Sequence, residues 1–380
     1  MLAYLLIFIY CCIAGILYYF ISDKLIRNLI TYSTILVLGL FSGLRYHTGW
    51  DWEAYDYFIS SLPGFLSGDV FANNIFNYEP LFVITVSILN EFSISVFAFF
   101  ALTTVMLTIT SAKRYLGKYL GVFFVCYLFY GYFHNFSIIR QGISAAIFIY
   151  SVRFIHGKKA FHYLISIFVA SLFHASSLIL LPVYFVVNKV EPNQKKVLIF
   201  IVISFLFVMT PLLSSLNSVI PFLSLFGEKV NMYLSNENLS YKAGFSLKYL
   251  EQIILVAIFS FSRFRYIGNR IFGRYFTIFG LLVMVQLSVY SFLNDFSILY
   301  ERIAVFFEVS QGIFMAMILV CFKGQISKFF IILMIFSMVF IRYERLFYHS
   351  NNEARLGDEA GHLERFENYC SIFDKDRCTR

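Results

Sequence analysis

The sequence predicts an all-α, polytopic integral membrane protein with about 12 transmembrane helices. The first reason is composition, because 59% of the residues are hydrophobic and 14% are charged, with a mean hydropathy of +0.75. A soluble domain carries about 25% charged residues, so most of this chain is expected to lie in lipid. The second reason is that long apolar runs recur along the chain, and the third is that charge alternates between the loops that join them.

The apolar runs are candidate crossing helices, since a helix needs about 20 residues, or roughly 17 at the short end, to span the hydrocarbon core. In chain order they are 2–21, 29–44, 93–111, 119–133, 139–155, 160–173, 175–188, 197–213, 247–262, 275–293, 301–322 and 328–343. The first run has neither a basic n-region nor a small-residue cleavage site, so it is expected to be a retained span. The segment 80–92 fits either a non-crossing interfacial helix or the start of one bent span that ends at residue 111.

The loops between these runs form two sets that differ in charge. One set holds sixteen Lys/Arg and two Asp/Glu, in 22–28, 112–118, 156–159, 189–196, 263–274 and 323–328. The other holds eleven Lys/Arg and sixteen Asp/Glu, in 45–79, 134–140, 214–246, 294–302 and 345–380. The positive-inside rule places the first set in the cytoplasm and both termini outside, in the periplasm of a bacterial inner membrane. The net charge of +8 is largely this bias, so no nucleic-acid partner is expected.

The predicted domain organisation follows from this sidedness. A single transmembrane domain covers 1–344, and its longest outer loops are 45–79 and 214–246. A charged outer tail, 345–380, follows it.

Cysteine and motif content bound the chemistry. Cys370 and Cys378 lie in the outer tail and could form a disulfide in an oxidising compartment, whereas the other four cysteines lie in spans and are expected to be inert. The sequence has no CxxC, HExxH or GxxxxGK[ST] pattern, so no metal site and no cofactor is predicted.

Polar residues of several kinds gather at the predicted outer face. They come from six parts of the chain, which suggests that any chemistry takes place on that side. The candidates are Arg45, His47, Trp50, Asp51, Tyr55, Glu79, His134, Asn135, Arg140, Gln141, His174 and Arg302.

Three arginines stand at helix ends and are candidate ligands for phosphate. Arg140 opens a span, where its charge opposes the helix dipole unless an anion compensates; the alternative is an interfacial snorkelling side chain. Arg302 repeats this arrangement, with a simple pairing to Glu301 as the alternative. Arg45 ends a span, where its charge suits the helix C-terminus and a role in topology is the alternative.

His174 lies at a tight outer turn between two apolar runs, which makes it a candidate base, although a lone histidine among apolar residues is more often structural. Glu308 lies within a span, where carboxylates are costly and often functional, but Gln311 would also satisfy it in a structural network. For Glu79 a plain loop acid is the simpler interpretation.

Four segments, in order, resemble the motifs of EpsG-like polysaccharide polymerases, which include many O-antigen polymerases of the Wzy type. Arg45 to Tyr55 matches the pattern R-Y-x-x-G-x-D-x-x-x-Y, and Arg140 with Gln141 opens a segment similar to the second motif. His174 lies in a segment similar to the third motif, L-F-H-x-S-A-L, with Ser177 where alanine is usual. Glu301–Arg302 fits a late E-R pair.

The resemblance implies a membrane glycosyltransferase, related to the GT-C type, that acts at the periplasmic face. Such an enzyme transfers a growing glycan from undecaprenyl pyrophosphate to a lipid-linked repeat unit. Arg45, Arg140 and Arg302 would stabilise the leaving pyrophosphate, and His174 or Asp51 would act as base.

The partners follow from this resemblance, whereas the substrate contacts are taken from the other outer-face residues, whose aromatic rings suit the apolar faces of sugars. The partners are undecaprenyl-pyrophosphate-linked oligosaccharides, membrane lipids and a chain-length regulator protein. The expected substrate-binding residues are His47, Trp50, Tyr55, Glu79, His134, Asn135 and Gln141.

Three alternatives remain open. An O-antigen ligase uses the same donor with another acceptor, but a large late outer loop is usual there and 45–79 and 214–246 are the longest here. A transporter or flippase of lipid-linked sugars would need polar residues through the depth of the membrane, where Glu308 and Gln286 are the main examples. A non-catalytic scaffold would leave the outer arginines unexplained.

Overall fold

The computed structural model describes residues 2–49, 51–210, 243–262, 270–322, 324–347 and 369–373. It confirms the all-α, polytopic class. Six helical segments of the described chain are long and apolar enough to cross a membrane: Leu2–Phe20, Lys24–Gly43, Val96–Phe136, Phe272–Phe292, Leu299–Cys321 and Gln325–Tyr343.

The helices follow the predicted apolar runs closely. The first eight are α1 (Leu2–Phe20), α2 (Lys24–Gly43), α3 (Trp52–Ser61), α4 (Pro80–Glu91), α5 (Val96–Leu116), α6 (Leu120–Tyr127), α7 (Ile139–His156) and α8 (Ala160–Ser171). The remaining ones are α9 (Val183–Lys189), α10 (Gln194–Met209), α11 (Leu247–Ser262), α12 (Arg270–Phe292), α13 (Ser297–Cys321) and α14 (Gln325–Phe347). Short 3₁₀ helices cover Phe133–Phe136 and Ala175–Leu180.

The ambiguous segment 80–92 forms a helix of its own. α4 ends at Glu91, and α5 begins at Val96 after a turn in which the Ser95 hydroxyl accepts a hydrogen bond from the Ala98 amide at 3.3 Å. A serine cap of this kind starts a new helix. The interpretation of one continuous bent span is therefore wrong, and the 12 residues of α4 are too few to cross the hydrocarbon core.

The chain divides into two compact units, and the first contains residues 1–185 together with 339–347 and 369–373 of the described chain. Within it α2 and α5 run antiparallel, since Gly43 lies against Ala98 at one end while Lys113 Nζ donates to Asn28 Oδ1 at the other. α7 runs parallel to α5, because Ile139 packs near Phe100 and Tyr115 donates to the Ile149 carbonyl. We call the end where α2 stops and α5 and α7 begin the motif end.

Small residues allow the helices of this unit to pack closely. A Cβ on Gly15 would lie 2.4 Å from the Gly121 carbonyl oxygen, and one on Gly121 would lie 2.2 Å from that of Gly15. Such backbone approach between α1 and α6 is a common way for membrane helices to associate, where no hydrophobic effect drives packing.

One short β-ladder joins the predicted tail to this unit. Strand β1 (Arg45–Tyr46) pairs antiparallel with β2 (Cys370–Ser371), so that Arg45 lies opposite Ser371. The Tyr369 ring stacks on Phe41 with centroids 4.1 Å apart. Cys370 is disulfide-bonded, whereas Cys378 lies outside the described residues.

The second unit contains residues 186–338 of the described chain, with α10 to α13 at its centre. Buried hydroxyls join three helices, because Ser204 Oγ lies 3.1 Å from the Tyr249 hydroxyl and 2.6 Å from Ser291 Oγ. Glu308 is buried as its position in a span predicts, and Gln311 donates to Glu251 Oε1 at 2.7 Å.

Candidate functional site

Glu79 is the centre of a polar cluster at the motif end of the first unit. Its Oε2 accepts from Arg140 Nη1 at 2.5 Å, and its Oε1 lies 3.3 Å from His174 Nδ1. The Ala175 amide also donates to Oε1, at 2.9 Å. One carboxylate therefore joins the second and third motifs, in which Arg140 lies in the first turn of α7 and His174 follows α8.

The local backbone fixes the position of this carboxylate. Glu79 precedes α4 in an extended conformation, with Pro80 as the first helical residue, where a missing amide proton costs nothing. The Leu172 carbonyl accepts from the Leu81 amide at 3.0 Å and from the Phe82 amide at 3.4 Å. The start of α4 and the turn before His174 thus satisfy each other's unpaired backbone groups, which holds Glu79 against His174.

The guanidinium of Arg140 makes hydrogen bonds through two of its edges and contacts an aromatic ring through one face. Besides the bond to Glu79, its Nε donates to the Tyr55 hydroxyl at 3.4 Å. The guanidinium carbon lies 3.8 Å from the centre of the Tyr78 ring, a cation–π contact. Nη2 makes no hydrogen bond to a described residue, so it is the edge that a ligand can use.

The cluster is largely but not fully shielded from solvent. The exposed fractions of the side chains are 13% for Arg140, 16% for Glu79 and 20% for His174. Burial alone would raise the pKa of Glu79, but the hydrogen bond from His174, the charge of Arg140 and the Ala175 amide outweigh it and lower that pKa to about 2. Glu79 is thus a carboxylate at neutral pH.

Two tyrosines beside Arg140 keep their protons. Burial raises the pKa of Tyr55, and it raises the pKa of Tyr78 to about 12, with the nearby Asp51 acting in the same direction on both. These hydroxyls are therefore neutral hydrogen-bonding groups at physiological pH.

Arg45 of the first motif is 2% exposed and its described partners are backbone carbonyls and aromatic rings. It donates to the carbonyls of Ser42, Thr48 and Phe136, the last from Nη2 at 3.1 Å. Phe97 and Phe136 face its guanidinium at 4.9 and 5.3 Å. Burial lowers the pKa of Arg45 to about 10, so it remains charged at neutral pH.

The glycines of the first two motifs are explained by close contacts. Gly49 has φ +103°, and a Cβ there would lie 2.2 Å from the Phe136 carbonyl oxygen, the same oxygen that Arg45 binds. A Cβ on Gly142 would lie 2.4 Å from Asn135 Oδ1. Glycine is required at Gly49, where φ is positive and the neighbouring atom belongs to the backbone, whereas a Cβ at Gly142 would require the Asn135 side chain to shift.

The other predicted residues of the first motif surround this framework. His47 lies in a left-handed conformation, φ +46°, with its Nδ1 3.5 Å from Glu53 Oε1 and its ring against Trp52. Asp51 is the residue before α3 and is half-buried, close enough to influence Tyr55. Trp50 lies outside the described residues.

The remaining predicted residues fall in three places. His134 and Asn135 lie in the 3₁₀ helix that precedes α7, and Asn135 lines a small cavity together with Arg45. Gln141 follows Arg140 and is buried. Arg302 lies on α13 in the second unit and is half-buried. The contacts around Glu79 join the first three motifs, all of which lie in the first unit.

Sequence patterns did not reveal two participants. Tyr78 provides the ring that covers Arg140, and the Ala175 amide provides a hydrogen bond to Glu79. The only local signal for Tyr78 was its place before Glu79 and Pro80, and a backbone amide has no signature in a sequence.

The arrangement is suited to acid–base chemistry beside an anion. A carboxylate next to Nδ1 favours the imidazole tautomer with its proton on that nitrogen, which leaves Nε2 to accept a proton. Arg140 lies on the other oxygen of the same carboxylate, with one edge open to an anionic oxygen. The part of the chain that the structure describes contains no group of three or more His, Cys, Asp or Glu side chains that would hold a metal ion.

Comparison with known proteins gave one match. No curated protein and no solved structure matched the chain. The model of the EpsG family matches residues 28–354, which include all four motif segments. The chain therefore belongs to the EpsG family, whose members are polysaccharide-polymerase-like membrane proteins.

Proposed function

We propose that this protein is a polysaccharide polymerase of the O-antigen type, acting at the periplasmic face of the bacterial inner membrane. It transfers a growing glycan from undecaprenyl pyrophosphate to a lipid-linked repeat unit. The observation that carries the proposal is the Glu79–Arg140–His174 cluster, which combines a candidate base with a candidate pyrophosphate ligand in a chain of the EpsG family.

The proposed reaction uses each member of the cluster in a separate role. His174 Nε2 accepts the proton of an acceptor hydroxyl while that oxygen forms a bond to the anomeric carbon of the donor sugar. The bond from that carbon to the pyrophosphate oxygen breaks, and the pyrophosphate leaves with the electron pair. Arg140 Nη2 stabilises the charge on the leaving group, and Glu79 holds His174 and Arg140 in place.

The two other arginines take different parts in this proposal. The donors of Arg45 are occupied by three carbonyls, so its geometry favours a positioning role, in which it shapes the loop that follows α2. Arg302 remains a candidate for binding phosphate from the second unit.

The proposal is tested by deleting the gene in its host and separating the lipopolysaccharide on a gel. A polymerase deletion leaves the core with one repeat unit, and the wild-type gene on a plasmid restores the ladder. Loss of all attached O-antigen would instead indicate a ligase or a transporter, and an unchanged ladder would refute a role in this polymer.

A transporter of lipid-linked oligosaccharide is the second candidate. It is favoured by the buried polar groups in helices of the second unit, among them Glu251, Gln252, Gln286 and Glu308. Deletion of such a transporter would remove the single repeat unit as well as the ladder, so the same gel separates it from a polymerase.

A further inference from the structure

A cleft of about 720 Å³ opens at the motif end of the first unit. Its volume lies within the range of about 300–1,000 Å³ typical of small-molecule sites. The end of α2, strand β1, one face of α3, the turn between α4 and α5, and Ile372 of the tail form its walls.

Helix α3 separates this cleft from the Glu79 cluster. Trp52, Asp56, Ile59 and Ser60 line the cleft, and their spacing of four, three and one residues places them on one face of the helix. Tyr55 lies on the neighbouring face and contacts Arg140. One helix, α3, thus contributes both to a wall of the cleft and, through Tyr55, to the surroundings of Arg140.

The lining combines aromatic rings with small polar groups. Tyr46, Trp52 and Phe97 supply the rings, while Asp56, Ser60, Asn90, Ser93 and Ser95 supply hydroxyl, amide and carboxylate groups. The Asn90 amide nitrogen already donates to the carbonyls of Ile59 and Leu62, so its oxygen is the part left to accept from a ligand.

Charge and polarity narrow the class of ligand. Arg45 lines the cleft, but its hydrogen bonds go to backbone carbonyls, and Asp56 adds a negative charge. This balance does not suit a phosphate group, and the many polar groups do not suit an acyl chain. Apolar ring faces beside hydroxyls, an amide and a carboxylate suit a sugar, which has apolar C–H faces and a rim of hydroxyls.

Trp52 lines this wall, and its indole nitrogen is buried. Phe97 stacks on its ring at 5.5 Å and His47 covers it at 4.4 Å, yet its indole N–H finds no acceptor among the described residues. A buried indole N–H usually has a partner. The His47 side chain that covers this ring is 42% exposed.

We propose that this cleft is an oligosaccharide subsite, which holds the sugars of a repeat unit next to the reacting hydroxyl. The inference rests on the proposed function, which supplies the identity of the sugar. Binding in the cleft can be measured without any polymerisation. Ser60 and Ser61 provide matched test positions, because both are exposed serines at the end of α3 and only Ser60 lines the cleft.

The experiment uses the full-length protein, purified in detergent, and repeat-unit oligosaccharides released by mild acid from the host's lipid-linked intermediates. Isothermal titration calorimetry measures binding to the chain with both tryptophans in place, because Trp50 is itself one of the predicted substrate-binding residues. We expect saturable binding that Ser60→Tyr weakens by about tenfold or more and Ser61→Tyr leaves unchanged. Inorganic pyrophosphate, added as a competitor, is expected to have no effect.

Four outcomes would overturn the subsite: no oligosaccharide binding to the parent protein, equal affinity in the two serine variants, a loss in Ser61→Tyr, or displacement by pyrophosphate. The Arg140→Lys variant separates this inference from the proposed function. It is expected to bind the oligosaccharide normally while failing to make polymer. An unchanged ladder after gene deletion, combined with intact binding, would refute the polymerase and leave the subsite standing.

Discussion

Replacing Glu79 by glutamine should disable the protein while preserving its shape. The amide keeps the size of the side chain but removes the charge that faces Arg140 at 2.5 Å and His174 at 3.3 Å. Lowering the carboxyl pKa from 4.5 to about 2 corresponds to roughly 3 kcal/mol in favour of the charged form. Since His174 and Arg140 both depend on that charge for orientation, we expect polymer yield to fall by about 10²-fold or more.

The assay is complementation of the deletion strain, with the lipopolysaccharide ladder measured by gel densitometry and the membrane level of the protein by immunoblot. Glu91→Gln is the matched control, because Glu91 is an exposed acid at the other end of α4 whose one described side-chain bond is to the Leu66 amide. A normal ladder in Glu79→Gln, at normal protein level, would refute the role assigned to this carboxylate.

The same variant makes a second, independent readout possible in purified protein. Because the folded-state pKa of Glu79 lies below its ordinary value, the carboxylate stabilises the fold fully above about pH 4.5, and this contribution falls as pH drops toward 2. By pH 3.5 about 1.4 kcal/mol of it is lost. Between pH 7 and pH 3.5 the wild type should therefore lose more thermal stability than Glu79→Gln; equal losses would contradict the lowered pKa.

Four further predictions test the cluster, the framework and the sidedness. Arg140→Lys keeps the charge but not the planar fork, so we expect a large loss of polymer with normal insertion; full activity would indicate a role in topology alone. General acid–base help contributes roughly 10²–10⁴-fold to a reaction rate, so His174→Ala should shorten or abolish the polymer. If His174→Gln makes near-normal polymer and His174→Ala does not, His174 positions the acceptor and does not transfer a proton. Gly49→Ala should lower the thermal midpoint more than Gly68→Ala. Both glycines have a positive φ, but a Cβ would meet a carbonyl oxygen only at Gly49. Equal effects would show that the contact with this carbonyl is unimportant. A membrane-impermeant thiol reagent applied to spheroplasts should label Gly68→Cys and not Lys159→Cys, and the reverse pattern would overturn the predicted sidedness.

Sequence patterns predicted most of the helices because most are apolar runs of nearly sufficient length, whereas α3, Trp52–Ser61, lies within the predicted outer loop 45–79. All twelve runs coincide with helical segments over their described residues, and the one ambiguity, 80–92, was decided by the cap at Ser95, whose hydrogen bond to Ala98 no hydropathy pattern shows. The candidate site was predicted in outline, since Arg140 and His174 do meet at one end of the first unit.

The parts that sequence could not predict depend on contacts between distant segments. Glu79 looked like a plain loop acid because its partners lie 61 and 96 residues further along the chain. Arg45 looked like a ligand for phosphate because a sequence shows its charge but not the carbonyls that surround it. The tail gave no signal for a strand, since β2 has two residues and is defined only by its pairing with β1.

The ladder between β1 and β2 has a consequence for the biosynthesis of this protein. The Tyr369 hydroxyl donates to the Phe41 carbonyl, 328 residues away, and Ile372 lines the cleft beside Trp52. A ribosome adds about 5–20 residues per second, so roughly 15–65 s pass between synthesis of the two partners. The first motif thus reaches its final form only after the intervening helices have entered the bilayer. A nascent or truncated chain would lack one wall of the cleft, so the pairing would keep an incompletely inserted chain from handling its substrate.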